Sequence, residues 1–193
     1  MRSKRNLSLF IVLVVFTLGL AACNDKSEGN TVKKASFDTQ VQEEDFATFE
    51  IPANWEKKND LSSNEILIYG PKETPKTGAY SSVNIAINVT GKKVSDIETV
   101  RAQFEANYEK EIKAEVPDAK DFKIISYKAN IGDVLMVSYS TKKATIIQHY
   151  PLVDNAIIAI SSTDVGEQDQ LKMDEVTKHV VDTFQLKGND SES

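Results

Sequence analysis

The strongest structural signal in the chain is residues 82–90, in which large apolar side chains alternate with small or polar ones. The large apolar positions are Val83, Ile85, Ile87 and Val89. A period of two places these side chains on one face of a β-strand, and this pattern is typical of half-buried strands in antiparallel sheets. The stretch therefore predicts one strand of an antiparallel sheet.

Two other stretches have a helical period. The first has large apolar residues three or four positions apart at Ile97, Val100, Phe104, Tyr108 and Ile112, and the second has them at Met173, Val176, Val180 and Phe184. Each stripe predicts an amphipathic helix that packs on the sheet. Ser95 with Glu98 three residues later predicts a capping box at the start of the first helix.

Six further stretches are predicted to be strands: residues 46–51, 65–69, 122–129, 134–141, 145–152 and 156–162. Turn sequences at 130–133 and 154–155 are short enough to predict hairpins. Residues 156–160 are apolar on both faces, which predicts a central strand. The predicted fold class is therefore α+β, with a mostly antiparallel sheet of six to seven strands flanked by two amphipathic helices.

The N-terminal residues have the pattern of a secretory signal. Arg2, Lys4 and Arg5 precede an apolar run over residues 7–20. Because a membrane span needs about 20 apolar residues, this run predicts a signal peptide of residues 1–22 rather than a permanent transmembrane helix.

The four residues that span the end of this segment, residues 20–23, carry a more specific signal. Leu20-Ala21-Ala22-Cys23 resembles the lipobox of bacterial lipoproteins. The resemblance implies that Cys23 is thioether-linked to diacylglycerol and that the chain is cleaved before it. Two acyl chains give a stable anchor, at about 0.8 kcal/mol per buried CH₂. The expected location is the extracytoplasmic face of the cell membrane. An ordinary signal peptide with a chance cysteine is disfavoured, since the chain has no other cysteine.

The remaining 171 residues suffice for one domain. Residues 23–45 begin with the cysteine whose lipidation the lipobox resemblance implies. The polar residues of mixed charge that follow it predict a flexible tether. The domain itself is predicted over residues 46–187, and the polar residues 188–193 are predicted to be a disordered tail.

The charge disfavours nucleic acid as a partner, and the cysteine content disfavours disulfides and thiolate metal sites. Without the three signal cations, 20 basic residues face 29 acidic ones, a formal net charge of −9. Phosphate backbones repel such a surface, so nucleic acid is not expected as a partner. Lipidation of Cys23 would leave no thiol for a disulfide or a thiolate metal site.

A family resemblance appears in two segments. Phe49-Glu50-Ile51-Pro52-Ala53-Asn54-Trp55 resembles the opening strand-Pro-x-x-Trp signature of PsbP-like proteins, and residues 180–184 resemble their terminal helix. The match covers about Phe46 to Leu186. The resemblance implies an α/β/α sandwich and members that act by binding, with bacterial relatives that include envelope lipoproteins of the DcrB type. It supplies no catalytic residues to transfer.

Catalytic patterns are not found. The two histidines, His149 and His179, are interpreted as a sheet residue and a solvated helix residue, and a metal site would need three or four convergent ligands. The sequence has neither a Gly-x-Ser-x-Gly elbow nor a phosphate-binding glycine loop. No enzymatic activity, metal or cofactor is expected.

The predicted function is that of a lipid-anchored, non-catalytic binding or assembly module for an envelope protein partner. The candidate partner-binding residues are Trp55, Lys72, Lys76 and Tyr80. The last three belong to a long loop over residues 72–81, and Trp55 is an aromatic residue next to a predicted turn. Trp55 is alternatively a buried plug at a sheet edge, and the loop is alternatively a tolerated insertion. The alternative function is small-molecule binding or scavenging.

Overall fold

The computed structural model describes residues 34–63, 66–73, 80–89, 96–153, 156–166 and 171–187. Within these ranges the chain forms ten strands and two helices. The strands are β1 Thr39–Glu43, β2 Ala47–Pro52, β3 Trp55–Lys57, β4 Ile66–Pro71, β5 Ser82–Val89, β6 Lys120–Ala129, β7 Gly132–Ser140, β8 Thr145–Val153, β9 Ala156–Asp164 and β10 Gln185–Leu186. The helices are α1 Ile97–Glu115 and α2 Met173–Thr183.

Seven strands form one antiparallel sheet in the order β3-β4-β5-β9-β8-β7-β6. The predicted hairpins β6–β7 and β8–β9 are both present. β9 is the middle strand, and Ile158 and Ala159, which point to opposite faces, are both buried. The prediction of a central strand covered from two sides is confirmed.

A second sheet of three antiparallel strands, β1-β2-β10, packs over one face of the large one. The first predicted strand, residues 46–51, belongs to this small sheet. β1 lies inside the segment predicted to be a flexible tether, so that prediction is wrong for residues 39–43. The strand exists because β2 supplies its hydrogen-bonding partner, and the Gln40 amide also donates to the carbonyls of Pro52 (3.3 Å) and Trp55 (2.6 Å).

The large sheet is covered on both faces. Adjacent residues of β7 show this, because Val134 belongs to the core under α2 and the small sheet, whereas Leu135 belongs to the core under α1. Among the described residues, the members of both cores lie between Phe37 and Phe184. The layers are those of the α/β/α sandwich that the family resemblance implies.

The α1 helix packs its predicted stripe on the sheet and is capped differently from the prediction. The buried residues of the helix are Val100, Phe104, Tyr108 and Ile112. Asp96 is the N-cap, and its carboxylate accepts hydrogen bonds from the Thr99 amide (3.0 Å) and hydroxyl (2.6 Å). Ser95 lies outside the described residues, and Glu98 pairs with Arg101 (3.6 Å). A carboxylate at this position also interacts favourably with the helix dipole.

None of the helices in the described ranges is long and apolar enough to cross a membrane. The predicted signal peptide, Cys23 and the C-terminal tail of residues 188–193 lie outside those ranges.

Trp55 is completely buried at the start of β3, where it pairs with Pro71 and belongs to the core under α2. The structure supports the interpretation of this residue as a plug. Its indole Nε1 has no hydrogen-bond partner among the described residues. The ring therefore stabilises the domain through apolar burial alone.

We expect Trp55→Ala to lower the free energy of unfolding by about 3–5 kcal/mol, because truncation removes a large buried ring and leaves a cavity. Trp55→Phe is the matched control, since it keeps much of the apolar surface and removes the unpaired N–H. Urea denaturation measures both. A loss below about 1 kcal/mol in Trp55→Ala would show that the ring is not a packing element.

Candidate functional site

A groove runs between the N-terminal segment of the described chain and α2. Its main part has a volume of about 400 Å³. An adjoining hollow of about 330 Å³ shares four lining residues with it and extends the groove to β1 and β2. The lining residues are Lys34, Ala35, Ser36, Phe37, Asp38, Thr39, Glu50, Glu175, Lys178, His179 and Asp182. We refer to this surface as the α2 groove.

One wall of the groove is the polar flank of α2. Glu175, Lys178 and Asp182 are spaced three and four residues apart, which places them along one side of a helix. The opposite side carries Met173 and Val180, both in the core. The amphipathic pattern of α2 thus buries one stripe and leaves a row of alternating charge facing the groove.

The other wall is the extended segment that precedes β1. The Ser36 hydroxyl donates to a Glu175 carboxylate oxygen (2.8 Å). The Phe37 ring meets the His179 ring edge-on, with centroids 5.7 Å apart and an interplanar angle of 80°. These two contacts hold the segment against α2 and form the groove.

The floor of the groove is an acid–base pair. His179 Nε2 lies 2.8 Å from Glu50 Oε2. The hydrogen bond from His179 holds the pKa of the Glu50 carboxyl below its usual value, and a bond from Thr39 acts in the same direction against the effect of burial. His179 is only 8% exposed, so its interpretation as a solvated helix residue is wrong.

The proximity of β2 to α2 explains this burial. The backbone N–H of Glu50 donates to the Thr183 hydroxyl (3.0 Å). That hydroxyl also donates to the His179 carbonyl one turn earlier (2.8 Å). The end of α2 is therefore joined to β2 by hydrogen bonds, and His179 lies over Glu50 as a consequence.

Asp182 adds a partly buried carboxyl to the wall. Burial raises the pKa of Asp182, and the charges of Lys178 and His179 oppose that rise. The α2 groove thus combines carboxyl groups, ammonium groups and the edge of an aromatic ring. Such a surface suits a peptide segment that carries both charges and an apolar side chain.

A second histidine lies behind the groove. His149, in β8, is almost completely buried, and its Nδ1 is 2.8 Å from the Tyr127 hydroxyl. Lys178 lies 5.4 Å from the centroid of the same tyrosine ring. Burial lowers the pKa of His149 to about 4, and the charge of Lys178 contributes to the shift. Its Nε2 has no hydrogen-bond partner among the described residues.

Neutral His149 makes the fold sensitive to acid. Its pKa is lower in the folded protein than the unfolded value of about 6.5, so its contribution to stability is present above that pH and is lost as the pH falls towards 4. The loss amounts to about 2 kcal/mol at pH 5. Glutamine cannot titrate, so between pH 7 and pH 5 we expect the free energy of unfolding to fall by about 2 kcal/mol less in His149→Gln than in the wild type. Identical pH profiles for both proteins would contradict the burial of a neutral imidazole.

None of the predicted site residues that the structure describes lines the groove. Trp55 is buried and has no surface for a partner, so its assignment as a partner-binding residue is wrong. Lys72 is exposed and donates to the Ala53 carbonyl (2.9 Å). Neither Lys72 nor Tyr80 lines the α2 groove. Lys76 and Cys23 lie outside the described residues.

Tyr80 is packed against the large sheet. A Cβ atom at Gly70 would lie 2.8 Å from a Tyr80 ring carbon, so the ring needs the glycine for its close approach. Lys58 lies 5.7 Å from the ring centroid. Burial raises the pKa of the Tyr80 hydroxyl. This ring is a partly buried packing element at the edge of the loop.

Within the part of the chain that the structure describes, no group of three or more His, Cys, Asp or Glu side chains is arranged to hold a metal ion.

Comparison with protein-family models and with curated proteins finds no match. Among solved structures, the chain is similar to cyanobacterial PsbP (CyanoP) from Synechocystis sp. PCC 6803, with 11% identity, a TM-score of 0.50, and coverage of 83% of this chain and 98% of that one. It is also similar to the Mog1 E65A mutant, with 12% identity, a TM-score of 0.48, and coverage of 78% and 96%. The likeness to CyanoP shows that the domain has a PsbP-like fold.

Proposed function

We propose that this chain is a lipid-anchored protein of the extracytoplasmic membrane face that binds an envelope protein partner in the α2 groove and performs no catalysis itself. It would be a bacterial lipoprotein of the DcrB type, with a signal peptide over residues 1–22 and lipid on Cys23. The observation that carries the proposal is that one wall of the groove is built by the residues that follow the anchor.

The length of the connecting segment supports this placement. Lys34, the first residue of the groove, follows Cys23 by 11 residues. A flexible segment of this length spans roughly 5–6 Å × √n, or about 18 Å. The anchor would therefore hold the α2 groove close to the lipid headgroups, where a membrane partner would meet it at high effective concentration.

The chemistry of the groove supports a protein partner. Lys34, Ser36 and Asp38 are exposed along its length, so an extended segment has access to both charges and to polar groups. The Phe37 ring supplies an apolar contact beside them. The acid–base pair joins α2 to β2, which favours a structural role for His179 and Glu50 over proton transfer.

A photocrosslinking residue at Lys178 tests the proposal. Lys110 is the matched control, since both are exposed lysines on helices that cover opposite faces of the large sheet. In cells that carry the full chain, we expect Lys178 to give a discrete protein adduct and Lys110 to give none. A third variant at Lys72 tests the loop.

Adducts from Lys110 or Lys72, with none from Lys178, would move the binding surface away from the groove. The absence of an adduct from all three positions would contradict the proposed function itself.

Small-molecule binding is the second candidate. The volume of about 400 Å³ falls within the range of about 300–1,000 Å³ that ligand sites occupy. A ligand that co-purifies with the chain and raises its melting temperature on re-addition would favour this candidate, provided that Lys178 gives no protein adduct.

A further inference from the structure

Within the described ranges, the two sheets end in four edge strands, and three of these are protected against pairing. β3 and β10 have only three and two residues. β6 has ten residues but carries Lys120, Lys123 and Lys128, and its edge is interrupted by Asp121, which has a φ of 56° and lies at a register shift. Short length, lysines and irregular backbone are the devices by which proteins protect sheet edges.

β1 is an edge strand without these devices. Its sequence, Thr-Gln-Val-Gln-Glu, contains one charged residue, Glu43, which pairs with Lys187 (3.1 Å). Val41 is 66% exposed, the highest value for any large apolar side chain in the described ranges. A regular, nearly uncharged strand with an exposed valine at its centre favours pairing with another strand.

The hydrogen bonds at the ends of β1 show which backbone groups are available. The Ala53 N–H donates to the Asp38 carbonyl (2.9 Å), and the Glu44 N–H donates to the Ala47 carbonyl (2.9 Å). In an antiparallel ladder, every second residue bonds to the neighbouring strand. The even-numbered residues of β1 therefore face β2. Thr39, Val41 and Glu43 direct their N–H and C=O groups towards the edge that has no neighbouring strand among the described residues. At this edge the Val41 carbonyl accepts a bond from the exposed side-chain amide of Gln42 (3.2 Å), which an incoming strand would displace.

We propose that β1 pairs with β1 of a second copy of this chain, antiparallel about a two-fold axis through Val41. In this register Val41 lies opposite Val41 of the partner subunit, and Thr39 lies opposite Glu43 of the partner subunit. Because all three residues direct their backbone groups outward, the pairing forms six N–H···O=C bonds. The two small sheets then become one sheet of six strands.

The edge is complementary to itself. A two-fold axis through a hydrogen-bonded pair requires the central residue to have outward-facing backbone groups, and Val41 meets this requirement. No like charges lie opposite each other, because the Glu43 carboxylate faces a threonine, and the two valines are in contact at the axis. A closed two-fold interface of this kind joins two subunits and no more.

The interface is small. Pairing of five-residue strands buries far less than the roughly 1,200 Å² of a stable interface. The dimer therefore dissociates on dilution and forms at high local concentration. The pairing itself does not depend on the lipid anchor, so it can be measured with the soluble chain of residues 24–193, which contains every described member of both cores.

Disulfide trapping is the first test. Cα atoms of a hydrogen-bonded antiparallel pair lie about 5.5 Å apart, which suits a disulfide. The soluble chain has no native cysteine, so Val41→Cys gives a single thiol. Ile125→Cys is the matched control, since Ile125 is 48% exposed on the protected edge β6. Under mild oxidation we expect Val41→Cys to form covalent dimers at least about tenfold faster than Ile125→Cys.

Sedimentation equilibrium is the second test. We expect the wild type and Ile125→Lys to gain mass towards that of a dimer as the concentration rises, whereas Val41→Lys, which places two ammonium groups at the axis, stays monomeric. Equal crosslinking rates for the two cysteine variants would overturn the proposal. A wild type that stays monomeric at millimolar concentration would also overturn it, even if β1 binds a strand of another protein. Self-association that persists unchanged in Val41→Lys would overturn it as well.

Discussion

Burial of the large sheet on both faces is the constraint on which the rest of this structure depends. The central strand β9 has apolar residues facing both ways, so each face needs a cover. α1 covers one face with a single stripe of side chains. The other face is covered by α2 together with the small sheet. This explains why β2 belongs to the small sheet and packs over the large one. The position of β2 brings Glu50 to α2, and the α2 groove is a consequence of that packing.

The groove is thus continuous with the core. The His179–Glu50 pair and the bond from the Glu50 amide to Thr183 join the helix to the small sheet, and Phe37 extends the apolar contact to the segment that precedes β1. Lys178 in the groove wall contacts the Tyr127 ring, and the Tyr127 hydroxyl is hydrogen-bonded to the buried His149. A segment bound in the groove would therefore contact elements whose positions are set by packing.

The sequence predicts those parts of the fold that local burial determines. The alternation from Val83 to Ile87 and the helical stripe from Val100 to Ile112 are visible because each periodic side chain enters a core. β1 has no such pattern, since its single large apolar residue, Val41, is exposed and the strand depends on pairing with β2. The His179–Glu50 pair joins residues 129 positions apart, which no local pattern reveals. Trp55 could be assigned to the surface or to the core from its position after Pro52, and only the packing of β3 distinguishes the two.

The proposed function joins a PsbP-like domain to a proposed lipid anchor that would hold the α2 groove near the membrane. This anchor is the part on which the proposed function most depends. The most direct measurement is the intact mass of the protein extracted from membranes. We predict a chain that begins at Cys23 and carries a thioether-linked diacylglycerol on that residue. A chain that begins at any other residue, or an unmodified Cys23, would contradict the account.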